Sequence, residues 1–67
     1  MYYKGDRVLV QGMNQREAVL RVWAVREHGL LLCTDEGYHV GEITGEEPVA
    51  VGFPMSDIKK QILADQT

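Results

Sequence analysis

Side chains able to bind a metal or act as a nucleophile are concentrated in the middle of the chain: His28, Cys33, Asp35, Glu36 and His39. A zinc site needs ligands at spacings such as Cys-x-x-Cys or His-x-x-His, and none of these spacings occurs. A nucleophilic cysteine would need a base and an oxyanion donor held beside it. The pattern therefore predicts no enzyme, no metal and no cofactor, with Cys33 as a core thiol and His28 as a turn residue.

Aromatic side chains form the second group with chemical potential, because exposed aromatic rings anchor protein interfaces. The candidate partner-binding residues are Trp23, Tyr2, Tyr3, Tyr38 and Arg21. Burial in the core is the alternative for Trp23, and cover for the edge of a small core is the alternative for the tyrosines. Several rings converging near a carboxylate would form a cage for a methylated cation, but the spacing of these rings does not show convergence.

The charged residues leave two further interpretations open. The net charge of -3 gives no overall field toward nucleic acid or an anionic membrane. Arg16, Arg21 and Arg26 with Lys59-Lys60 would contact phosphate only if they share one face, so RNA binding is the alternative hypothesis.

Acidic residues also cluster in the second half of the chain. Glu42, Glu46 and Glu47, with Asp35 and Glu36, form either a solvated turn or an acidic face that meets a basic partner.

The length and composition predict one ordered domain spanning residues 1–67, since 67 residues with 45% apolar content are typical of a small globule. Cys33 is the only cysteine, which favours a reducing cytoplasm. A charged start followed by an apolar core is missing, and the apolar runs are short, so neither export nor membrane insertion is expected. We expect a monomer or a weak homodimer joined through a strand edge.

Strand-like segments alternate with turn residues along the whole chain, a spacing typical of an all-β barrel or sandwich. In residues 17–27 the even positions from 18 to 24 are all apolar and should face the core, and Gly41 indicates a bulge or bend. A two-residue loop at His28-Gly29 predicts a tight hairpin. The predicted strands are residues 7–11, 17–27, 30–34, 38–43 and 49–53.

The end of the chain allows two readings by pattern alone. Ser56 is a good helix N-cap, and Ile58 and Ile62 would then share one helical face. Alternatively, a tight turn at residues 54–57 leads to a short strand at 58–62, with residues 64–67 frayed.

The motif Gly52-Phe53-Pro54, followed by Ser56 and Ile58, resembles the end of an SH3 domain, where a strand meets a one-turn helix and a short final strand. The N-terminal "KGDRVLV" is similar to the first strand of SH3-like, Tudor-like and KOW-type barrels. The resemblance implies an all-β, strongly bent antiparallel barrel of five to six short strands, with a one-turn helix near the C-terminus. It therefore favours the closing strand.

The resemblance implies a scaffold without the best-known SH3 function. Asp57 and Gly41 stand where a peptide-binding SH3 domain has a tyrosine and a tryptophan, so a polyproline helix has little to stack on. The resulting hypothesis is a non-catalytic binding module or accessory subunit. It would contact a protein partner through the outer face around Trp23 or the loop at residues 12–16.

Overall fold

Five antiparallel strands form one sheet in the computed structural model, which describes residues 1–12 and 16–62. The strands are β1 Arg7–Gln11, β2 Glu17–Arg26, β3 Gly29–Cys33, β4 Val51–Pro54 and β5 Ile58–Ile62. One helix, α1 Asp35–Thr44, lies between β3 and β4, and a 3-10 turn, Met55–Asp57, joins β4 to β5. The order across the sheet is β4-β3-β2-β1-β5, so β4 and β5 are its edges and the sheet is not closed into a barrel. The mostly β, antiparallel character of the fold is confirmed.

The first three predicted strands are confirmed with small shifts at their ends. These predictions rest on the alternation of apolar and polar residues. In the β1–β2 and β2–β3 ladders the buried side chains are Val8, Val10, Val22, Leu30 and Leu32. The hairpin turn consists of Glu27-His28 rather than His28-Gly29, because Gly29 already pairs with Arg26.

The predicted strand at residues 38–43 is wrong, because these residues lie in α1. Thr34 is the N-cap, and its Oγ1 accepts a hydrogen bond from the Gly37 amide at 2.9 Å. Asp35 and Glu36 place negative charge at the positive end of the helix dipole. Gly45 ends the helix in the left-handed region, with φ of 80° and its N–H donating to the Gly41 carbonyl.

The bulge predicted at Gly41 is also wrong, and the register irregularities lie elsewhere. Opposite β3, Val22 pairs with Leu32 and Ala24 with Leu31, so Trp23 is the extra residue. A second irregularity lies between β1 and β5, where the register shifts beside Lys59. The Trp23 bulge lies where Gly41 and Tyr38 of α1 pack against β2.

The core is a small cluster of aliphatic side chains on one side of the sheet. Its fully buried members are Val8, Val10, Val22, Leu30 and Leu32, and half-buried Tyr2, Leu20, Phe53 and Ile58 pack against them.

The even positions of β2 follow the predicted inward orientation only as far as Val22. Val22 is buried and pairs with the core residue Leu32, but the bulge at Trp23 reverses the alternation, so Ala24 pairs with Leu31 on the other face. Leu20 is half-buried and Ala18 is exposed. The ladder with β3 begins only at Arg21, so among the described strands the first residues of β2 pair with β1 alone.

The closing segment follows the strand reading. Pro54 ends β4, a single 3-10 turn follows, and β5 returns to pair with β1 in antiparallel register. The reading of residues 64–67 as frayed concerns positions outside the described residues. Among the residues that the structure describes, none forms a helix long and apolar enough to cross a membrane.

Candidate functional site

An apolar groove of about 620 Å³ lies between α1, the segment that follows it, and β4. We call it the α1–β4 groove. Its apolar wall is formed by Leu20, Leu32, Val40, Val49, Val51 and Phe53, and Glu36, Glu46 and Glu47 line its edge. A concave apolar surface with a few polar groups is the usual form of a binding site.

Three valines of the groove are unusually exposed for their residue type. Val40, Val51 and Val49 have 50%, 57% and 92% of their surface accessible. Single exposed apolar residues are common, but these three line one concavity and form a patch. α1 packs on the sheet through Gly41 and Tyr38, and the neighbouring Val40 stays half exposed.

Cys33 lines the same groove and is 4% exposed. Burial raises the pKa of its thiol above the ordinary value of 9.0; Arg21 acts in the opposite direction and Asp35 in the same direction. The thiolate is the nucleophilic form, so this thiol is poorly suited to covalent chemistry at neutral pH. The predicted core thiol agrees with this placement.

The Cys33 environment predicts a measurable pH dependence. The Cys33 thiol ionises at a higher pH in the folded chain than in the unfolded chain, because its folded-state pKa is raised. Above pH 9.0 the unfolded chain therefore releases a proton that the folded chain keeps, and the free energy of unfolding should fall as the pH rises. Urea unfolding below and above that pH should measure this decrease in the free energy of unfolding. The decrease should be smaller in Cys33→Ala. Iodoacetamide should modify the folded thiol at least about tenfold more slowly than the urea-unfolded thiol. Equal rates would contradict the buried placement.

A second group of side chains joins the N-terminal turn, β2 and α1. The rings of Trp23 and Tyr38 meet edge to face, with 5.8 Å between centroids. Lys4 Nζ lies 4.2 Å from the Trp23 centroid, and the Arg21 guanidinium carbon lies 4.2 Å from the Tyr38 centroid. These contacts place two of the chain's own cations on the two aromatic faces.

Carboxylates complete this network. Glu42 accepts hydrogen bonds from Lys4 Nζ at 3.1 Å and from the Tyr38 hydroxyl at 3.3 Å. Asp35 Oδ1 lies 3.3 Å from Arg21 Nη1 and 3.4 Å from Arg7 Nε. Exposed ion pairs contribute little individually to stability. Together these contacts connect α1 to the N-terminal turn, β1 and β2.

The structure brings together three of the five predicted partner-binding residues: Trp23, Tyr38 and Arg21. Trp23 and Tyr38 are half-buried and face each other and the chain's own cations, so no vacant cage for a methylated cation is present among these rings. Tyr2 packs against the core, and Tyr3 is 63% exposed at the first turn. That these residues contact a partner stays a prediction.

Other sequence-based candidates are dispersed. His28 is exposed in the β2–β3 turn and His39 is exposed on α1. Within residues 1–12 and 16–62 no three metal-ligating side chains are grouped. The equivalence of Gly41 to a tryptophan on a facing strand is wrong, because Gly41 lies in α1. The loop at residues 12–16 falls partly outside the described residues.

Comparison with known proteins assigns no family to this chain. No protein-family model, curated protein or solved structure matches the chain. The site must therefore be interpreted from its own residues.

Sequence reasoning missed the α1–β4 groove, although one signal for it was present. Glu46 and Glu47 belong to the acidic cluster of the sequence, but the strand prediction for residues 38–43 includes Val40. Reading Thr34-Asp35-Glu36 as a helix start would have moved Val40 onto a helix. The convergence of Val40 with Val49 and Val51 still required the tertiary structure.

Proposed function

We propose that this chain is a non-catalytic protein-binding module that holds an apolar segment of a protein partner in the α1–β4 groove. The observation that carries the proposal is the convergence of exposed Val40, Val49 and Val51 on one concave surface. Covering such a patch removes apolar area from water, which is the main favourable contribution to protein association.

An SH3-like scaffold is part of the proposal. It is supported by the antiparallel sheet, the 3-10 turn after Pro54 and the short final strand β5 that pairs with β1. These are the features that the resemblance over Gly52 to Ile58 implies. The α1–β4 groove lies beside β4, which is an edge strand of the sheet.

A protein partner is favoured over RNA and over catalysis. Of the seven Lys and Arg side chains, four form ion pairs with carboxylates within residues 1–12 and 16–62: Lys4, Arg7, Arg21 and Lys59. Neutralised cations attract phosphate weakly. The raised pKa of the Cys33 thiol disfavours a covalent mechanism. The proposal includes a cytoplasmic location, where a free thiol persists.

Selection from a phage-displayed library of random short peptides tests this function directly. The wild-type chain should enrich peptides that share apolar anchor residues, and Val51→Asp should bind those peptides at least about tenfold more weakly, because the new carboxylate would lose water on binding. Fluorescence polarisation with the enriched peptides measures the change.

Val25→Asp is the matched control. Val25 is 48% exposed on β2, close to the 57% of Val51 on β4, but it does not line the groove. The control should bind like the wild type and melt at a similar temperature to Val51→Asp. Failure of the wild-type chain to enrich any peptide, or equal binding by Val51→Asp, would refute the proposed function. Loss of binding only in Val25→Asp would move the site to the exposed end of β2 around Val25.

A further inference from the structure

The charged groups lining the α1–β4 groove all have the same sign. Glu36, Glu46 and Glu47 are exposed at its edge, and no Lys, Arg or His lines it. None of these three carboxylates takes part in the ion pairs found among the described residues. The groove therefore combines an apolar wall with an uncompensated acidic rim.

We infer that the partner segment is basic and amphipathic: apolar side chains enter the α1–β4 groove, and flanking Lys or Arg side chains meet Glu36, Glu46 and Glu47. This inference rests on the proposed function and specifies the chemistry of the partner. Complementary charge at an interface rim speeds association and excludes partners of the wrong sign.

Charge also discriminates between the alternative occupants. A second copy of the chain carries a net charge of -3, so it would approach the acidic rim against like charge. An RNA backbone would meet the same repulsion. A basic segment would form favourable charge contacts with the glutamates of the rim while its apolar residues cover Val40, Val49 and Val51.

The composition of the selected peptides tests the inference. Peptides enriched on the wild-type chain should combine apolar residues with an excess of Lys and Arg, and raising the salt concentration should weaken their binding. In Glu46→Gln/Glu47→Gln, affinity for a synthetic lysine-containing peptide from this set should fall about three- to tenfold, and its salt dependence should decrease. The same peptide with glutamine at its lysine positions should bind both chains alike.

A control variant with the same change in net charge is Glu17→Gln/Glu27→Gln, whose two sites lie on and beside β2, away from the groove. It should bind the lysine-containing peptide like the wild type. Enriched peptides without a basic bias, or an unchanged affinity in Glu46→Gln/Glu47→Gln, would overturn the inference while leaving the proposed function intact. Absence of any enriched peptide would instead refute the proposed function. Wild-type dimers that Val51→Asp dissociates in sedimentation would overturn the inference by making a second copy the occupant.

Discussion

Replacing Gly29 with alanine should lower the free energy of unfolding by about 2 to 3 kcal/mol. Gly29 pairs with Pro54 where β3 meets β4, and a Cβ at this position would overlap the carbonyl oxygen of Phe53. It would also lie 3.1 Å from the Phe53 carbonyl carbon and 3.2 Å from the Pro54 Cα. All three neighbours are backbone atoms, so no rotamer change relieves the overlap. β4 would have to move away from β3, which would distort one wall of the α1–β4 groove.

Gly52→Ala is the control for this prediction, because Gly52 lies in the same β3–β4 ladder. A Cβ there would lie 3.8 Å from Leu31 Cδ2, an ordinary van der Waals contact. Its unfolding free energy should therefore change by less than about 1 kcal/mol. Urea unfolding followed by circular dichroism measures both variants. Equal urea midpoints for Gly29→Ala and Gly52→Ala would contradict the close approach of β4 to Gly29.

Gly41→Leu should destabilise the chain by about 2 kcal/mol, although leucine is a much better helix former than glycine. Helix propensity alone would predict a gain of about 1 kcal/mol. A Cβ at Gly41 would lie 3.0 Å from the Glu46 carbonyl oxygen and 3.0 Å from the Trp23 ring, so the rest of a leucine side chain has no space. The steric cost exceeds the propensity gain because α1 would have to leave Trp23.

His39→Leu is the matched control for this second variant. His39 is exposed on α1, two residues from Gly41, so the same residue is introduced into the same helix without a contact to the sheet. Its stability should change by less than about 0.5 kcal/mol. Thermal unfolding followed by Trp23 fluorescence reports both the stability and the environment of the ring. A Gly41→Leu chain with wild-type stability and an unchanged emission maximum would show that α1 does not rest on Trp23.

Elements governed by local pattern were predictable. β1 and β2 follow from alternating apolar residues, and Glu27-His28 lies one position from the predicted turn. Pattern alone allows either a helix or a strand at residues 58–62, and the resemblance over Gly52 to Ile58 favours the strand, β5. Pro54 explains why β4 ends before this strand, because proline has no amide hydrogen with which to continue the β3–β4 ladder.

Helix α1 shows where local propensity fails. Tyr38, Val40 and Ile43 favour strand, and glycines at 37 and 41 disfavour helix. Two nonlocal facts outweigh these preferences: Gly41 is required for close contact with Trp23, and Tyr38 packs against both Trp23 and Arg21. The local signals for the helix are its two ends: the capping sequence Thr34-Asp35-Glu36 and the terminating Gly45.

The sequence by itself determined an acidic, mostly β chain, with the core valines and leucines of β1 to β3 and a cluster of glutamates near residue 46. Tertiary structure alone decided that the sheet stays open, that Trp23 supports a helix and that Val40, Val49 and Val51 share a groove with those glutamates. The physical reason is that alternation and propensity act between neighbours in the chain. The groove depends on where α1 rests on the sheet, which contacts between distant residues determine.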